Sequence, residues 1–319
     1  MRLPEPYFRL WTFLLAVLLA AATGCDRGSH GTAPQGSQAV YSGTGPIRAV
    51  CTTGMVADLV RAIGGSHVDV VQLMGPGIDP HLYKASPGDV DALTSADIVV
   101  YSGLHLEGKL TDLFERMAAR KPTIGVADAL PKDRLLHASG AVDPHVWFDV
   151  GLWRETIAPL AEALGRFDPP HAEDFRRGAQ AYAAELDALD GWCRSRVEAL
   201  PEHARILVTA HDAFHYFGRA YGLEVRAIQG ISTESEAGVR EINQLVDFLV
   251  ARKVKAVFVE ASVSERNVRA LVEGAAARGH QVRIGGELYS DAPGSAGTDA
   301  ASYLGMVRHN VETIVAALE

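Results

Sequence analysis

Between Pro170 and Leu200 the chain carries no strand-forming run and is rich in Ala, Glu, Asp, Leu and Arg. It reads as one helix, longer than globular proteins ordinarily use. What flanks it constrains the fold. Before it, IRAVCTT from Ile47 reads as a strand, Met55 to Ile63 as a helix ended by Gly64-Gly65, and HVDVVQLM and ADIVVYSG as two more strands. Glu107 to Arg120 reads as helical and PTIGVAD as a fourth strand. After it, RILVTA, EVRAIQG, KAVFVEA and QVRIGGEL read as strands. Helices begin at Asp212, cover Ala237 to Arg252 and Glu265 to Arg278, and close the chain from about Ala300. Such alternation predicts an α/β fold with two lobes, each a mostly parallel sheet flanked by helices. The long helix joins them, limits how far they swing, and leaves a ligand cleft between. At 319 residues and 48% hydrophobic, the chain has material for two such lobes, expected at 46–168 and 202–319 with the linking helix at 169–201.

The N-terminus stands apart. Arg2 and Arg9 precede an apolar run from Leu10 to Ala22, too short to span a bilayer and of the right length for a signal-peptide core. It ends in ATGC, and Cys25 after small residues resembles a bacterial lipobox, in which cleavage leaves a lipidated cysteine. An ordinary signal peptide with an incidental Cys25 is the alternative. Residues 1–24 are therefore expected to be removed. Residues 25–45, rich in Gly, Ser and Thr, would form a flexible tether to the membrane. The body would then work outside the cytoplasm, on the periplasmic side if the cell is Gram-negative. Cys51 and Cys193 remain; two separate buried thiols are expected, with a disulfide as the alternative.

The net charge is −9 with no basic stripe, which argues against nucleic acid. No HExxH, GxSxG or Walker motif is present.

In open α/β sheets ligands bind beyond the carboxyl ends of the strands. His81 lies in the loop after HVDVVQLM, His145 in the long loop after PTIGVAD, His211 directly after RILVTA, and Asp291 just after QVRIGGEL. If the lobes face each other, these four converge. Three imidazoles and a carboxylate suit a borderline divalent metal; residue chemistry alone ranks zinc first, then manganese or iron(II). Two of the histidines share a context: DPHLYKAS and DPHVWFDV both place His after Asp-Pro. Proline stiffens each loop, and Asp79 and Asp143 are expected to orient the rings. Asp149 is expected to cap a helix starting near Val150, and Glu260 to contact backbone or a ligand. His105, His137 and His215 are weaker ligand candidates.

Several stretches, CTTGMVADLV, MGPGIDPHLYKASPGD, DPHVWFDV, LVTAHDAFHYFGRAYGL, IQGISTESEAGVREI, AVFVEASVS and GGELYSDAPG, make the chain resemble the metal-binding solute-binding proteins of bacterial ABC importers, the TroA-like family. The resemblance implies two α/β lobes on one long helix, metal ligands at His81, His145, His211 and Asp291, and delivery of Mn2+ or Zn2+, with Fe2+ also possible, to an ABC permease and its ATPase. It implies a likewise monomeric binding protein rather than an enzyme. Zinc-specific members often carry a His-rich acidic loop; none occurs between Gly103 and His145, which tilts the expectation toward manganese or mixed specificity. A metal-dependent hydrolase and a surface adhesion lipoprotein are the alternatives.

Overall fold

A computed structural model describes residues 39–138 and 140–319; the signal segment, Cys25 and most of the expected tether lie outside the described residues. At Tyr41 the chain is already docked, its main-chain N–H donating to the Phe167 carbonyl at 2.6 Å.

The first half opens with β1 (Ile47–Cys51), α1 (Gly54–Gly64), β2 (Val68–Gln72), α2 (Pro87–Ser95), β3 (Ile98–Tyr101), α3 (Thr111–Ala118) and β4 (Thr123–Gly125). All four strands are parallel, in the order β2-β1-β3-β4. Central β1 pairs Ala49 with Val70 on one side and Ile98 on the other. Ser86 caps α2 with a reciprocal bond to Asp89, and Pro87 at its first turn forgoes an N–H that had no partner there. The helix expected from Glu107 begins only at Thr111, because the Glu107 side chain turns inward. Its carboxylate accepts the Thr52 hydroxyl at 2.6 Å and the Ser102 N–H at 2.8 Å.

A short hairpin, β5 (His137–Ala138) with β6 (Ala141–Val142), leads to α4 (Val150–Arg154) and α5 (Ile157–Phe167). Asp149 caps α4 through the Leu152 N–H, as expected. Then comes α6 (Ala172–Glu198), the long helix, 27 residues with a buried stripe of Phe175, Ala179, Tyr182, Leu186, Leu189, Cys193 and Val197. Their three- and four-residue spacing is one helical face. Gly178 lets α6 approach the end of α1: a Cβ there would sit 2.4 Å from the Ile63 carbonyl oxygen.

The second half runs β7 (Ile206–Thr209), α7 (His215–Tyr221), β8 (Glu224–Ala227), α8 (Val239–Arg252), β9 (Ala256–Glu260), α9 (Arg266–Ala277), β10 (Arg283–Leu288) and α10 (Tyr303–Leu318). The strands are parallel but fall into two pairs, β7 with β8 and β9 with β10, rather than one continuous ladder. β7 lies beside β9. At their carboxyl ends the Glu260 side chain, not a ladder bond, takes the His211 N–H.

One apolar cluster runs through both halves, from Ile47 and Val100 across Phe175 and Leu186 on α6 to Phe258, Leu288 and Val311. Smaller clusters cover the outer faces, Val50 and Val99 against Leu93 and Phe114 in one half, and Val208 and Val257 against Leu249 and Leu271 in the other. Cys51 and Cys193 are separate buried thiols, and burial pushes both up to about 12. Among the described residues no helix is long and apolar enough to cross a membrane.

Candidate metal centre

Both Asp-Pro-His segments fold by the same local device. Asp79 Oδ1 accepts the main-chain N–H of His81 at 2.8 Å, and Asp143 Oδ1 that of His145 at 3.0 Å. An Asp closing a turn onto the residue two places on is a known role for its side chain, and the proline between leaves few alternatives. The two then diverge. Asp143 Oδ1 also meets the ring Nδ1 of His145, at 2.7 Å. Asp79 does not touch its ring; its second oxygen accepts the Thr233 hydroxyl at 2.5 Å. Asp79 therefore positions the His81 backbone, whereas Asp143 fixes both backbone and imidazole.

His211 follows the fully buried strand β7, and Glu260 ends the neighbouring β9. Glu260 accepts the His211 N–H at 2.8 Å and meets its Nδ1 at 2.5 Å. Asp291 lies three residues beyond β10. Its loop is pinned by Asn310, which bonds both N–H and C=O of Tyr289, and by the Trp147 indole N–H on the Ser290 carbonyl at 3.0 Å.

These supports bring His81, His145, His211 and Asp291 into one buried group whose ligand atoms lie within 4.8 Å of one another. The Nε2 atom of His145 lies 3.3 Å from that of His81 and 3.4 Å from that of His211. The Asp291 oxygens lie 3.5 Å from His145 Nε2 and 3.4 Å from His211 Nε2. Donors about 2.1 Å from a shared ion at tetrahedral angles would stand about 3.4 Å apart.

The protons explain why such a group attracts a cation. With Nδ1–H of His145 and of His211 committed to Asp143 and Glu260, each Nε2 faces the Asp291 carboxylate, where it can hold a proton or offer a metal its lone pair. Oδ1 of Asp291 is buried and lacks a hydrogen-bond partner. Burial by itself lowers both imidazoles, but Asp143 and Asp291 push His145 up to about 9, and Glu260 and Asp291 hold His211 well above its usual value. Burial would raise Asp291, yet His211 and His145 pull it well below the carboxylate range. Positive charge is favoured here, as protons or as a metal ion. His81 differs: burial, with no carboxylate on its ring, lowers it to about 4.

The weaker candidates lie elsewhere. His215 is the first residue of α7, with Nε2 3.1 Å from Asp212, outside the group. His105 and His137 are exposed and border a hollow of about 550 Å³ that none of the four residues lines, and His105 also borders a smaller hollow beside His81. The sequence reading left Glu260 without a definite role; its only signal was its place at a strand end. Thr233 carried no signal, because its contact with Asp79 spans 154 positions.

The chain is similar to known proteins over nearly its whole length. The manganese-binding lipoprotein MntA of Bacillus subtilis is 47% identical over 310 residues, 96% of this chain and 98% of that protein. The zinc-binding protein TroA of Treponema pallidum is 47% identical over 270 residues, 84% of this chain and 88% of that protein. A solved structure of periplasmic TroA superposes with a TM-score of 0.84 at 46% identity, covering 86% of this chain and 99% of that one. An iron ABC transporter substrate-binding lipoprotein, MtsA of Streptococcus pyogenes, is 29% identical across 84% of this chain and 87% of its own length. Residues 49–317 match the model of the family described as zinc-uptake complex component A, periplasmic (ZnuA), and the chain belongs to that family.

Proposed function

We propose that this protein captures a divalent transition metal, manganese or zinc with iron(II) also accommodated, and hands it to an ABC permease driven by an ATPase. His81, His145, His211 and Asp291 are the ligands. One observation carries the reading: two imidazoles locked by carboxylates turn their Nε2 atoms onto a third imidazole and a buried carboxylate. The donor set supports it, since nitrogen and oxygen without thiolate suit manganese, zinc and iron(II). The relatives bearing manganese, zinc and iron in their names support the same range.

The chain acts as a binding protein rather than an enzyme. A catalytic zinc keeps a position open for water, and here Asp291 turns one oxygen toward His145 and the other toward His211. In this reading residues 1–24 are removed and lipidated Cys25 anchors a tether over 25–45. The monomeric body, 46–168 and 202–319 on the helix at 169–201, works outside the cytoplasm.

Metal content by mass spectrometry tests this. Protein from its native host should carry about one manganese or zinc per chain, a His211→Ala variant little, and uptake of that metal should fall in a strain lacking the protein. Wild-type protein without metal, together with unchanged uptake, would overturn the reading.

A further inference from the structure

A small vestibule of about 220 Å³ borders the metal centre at His81, the one residue of the four that lines it. The vestibule's walls come from both halves of the chain: Leu104 and His105 on one side, Ile231, Ser232 and Glu234 on the other. The first wall is set. Gly103, Leu104 and His105 are held at φ 91°, 53° and 63°, with the Leu104 N–H on Asp128 at 3.0 Å. Left-handed backbone at two successive non-glycine residues is strained and persists only where the surroundings impose it. The second wall lies between β8 and α8, in a segment without regular structure.

Two side-chain bonds tie the second wall to the first half of the chain. The Thr233 hydroxyl donates to Asp79, whose other oxygen holds the His81 backbone. Beside it, the Lys109 ammonium pairs with the Glu234 carboxylate. Other bonds between the two halves are buried: Trp147 to the Ser290 carbonyl, Tyr303 to the Trp147 carbonyl and Tyr216 to the Asp143 carbonyl. Bonds shielded from water persist; the Lys109–Glu234 pair, with side chains 41% and 48% exposed, exchanges readily with solvent.

We propose that Thr233 and the Lys109–Glu234 pair are positioning residues that latch the 231–238 segment over His81 and so set how fast the ion leaves. None of them ligates the metal. The inference rests on the metal-binding reading above, and its test separates the two. Protein loaded with manganese or zinc is mixed with excess chelator in a stopped-flow instrument, and the release rate is read alongside metal per chain. Thr233→Val should release about tenfold faster, the loss of one hydrogen bond to a charged group. Lys109→Glu and Glu234→Lys should each release about threefold faster, as befits an exposed pair. The double exchange K109E/E234K should return the rate toward wild type, which general loosening of the loop cannot do. All four variants should still load about one ion per chain. Equal release rates in Thr233→Val and wild type, or a double exchange no slower than its single parents, would overturn the latch while leaving the metal centre standing. A wild-type protein that takes up no metal would overturn both.

Discussion

Glu260 holds His211 twice, taking its main-chain N–H at 2.8 Å and its ring Nδ1 at 2.5 Å. One carboxylate thus fixes the position, tilt and tautomer of an imidazole that a strand end alone would leave free to rotate. Glu260→Gln keeps an acceptor for the main chain but turns an amide toward the ring. Metal affinity should fall about 10- to 100-fold while stoichiometry stays near one. Competition titration against a chelator of known affinity checks this; an unchanged affinity would mean that the ring is oriented by packing alone.

The paired Asp-Pro-His segments should respond unequally to the same change. Asp143 grips the ring of His145, whereas Asp79 grips only the backbone of His81 and the Thr233 hydroxyl. Asp143→Asn is expected to cost about 10- to 100-fold in affinity. Asp79→Asn should show its effect mainly as faster release. Equal losses in both equilibrium affinities would contradict this division of labour.

Acid should weaken binding. His145, raised to about 9, carries a proton at neutral pH when no metal is bound, and His211, raised well above its usual value, favours one. Their Nε2 atoms lie 3.4 Å apart, so the two titrate as a coupled pair. His81, lowered to about 4, is neutral there. Metal binding at pH 7 should therefore release between about one and two protons, and affinity should rise with pH by the matching power of ten. Calorimetry in buffers of different ionisation enthalpy counts them directly. An affinity that is flat from pH 8 to pH 5 is incompatible with a three-histidine centre.

Glu107 offers a test of stability away from the metal. Burial holds its carboxyl above the usual range despite bonds from Thr52 and Ser102. The folded state thus keeps this proton to higher pH than the unfolded chain does. Its stabilising contribution is full below about pH 4.3, the unfolded value, and is lost as pH rises through the higher folded value. Glu107→Gln accepts the same two bonds and does not titrate. Urea unfolding of both metal-free proteins from pH 4 to pH 8 should show wild type losing ground to the variant as pH rises. A constant difference would mean that Glu107 ionises alike in both states.

Much of this was legible along the chain. The alternation of strands and helices, the strand-free stretch that became α6, and four candidate ligands at strand ends all rest on local signals: periodicity, turn residues, and a repeated Asp-Pro-His. Hidden features depended on through-space contacts. Glu107 looked like the start of a helix because its local propensity is helical, yet a buried Thr52 hydroxyl across the sheet draws it inward. The α4–α5 pair was foreshadowed only by its cap at Asp149. Thr233 and Asp79 lie far apart in sequence and meet only once both halves have folded.

The apolar cluster that threads α6 has a thermodynamic corollary. Phe175 and Leu186 belong to one continuous cluster with Ile47 on β1 and Leu288 on β10. Neither sheet can lose its inner face without stripping the other, so the halves lack independent melting points. Calorimetric and van't Hoff enthalpies of the metal-free protein should agree, as for a single cooperative unit. The fold that looks like two modules should denature as one.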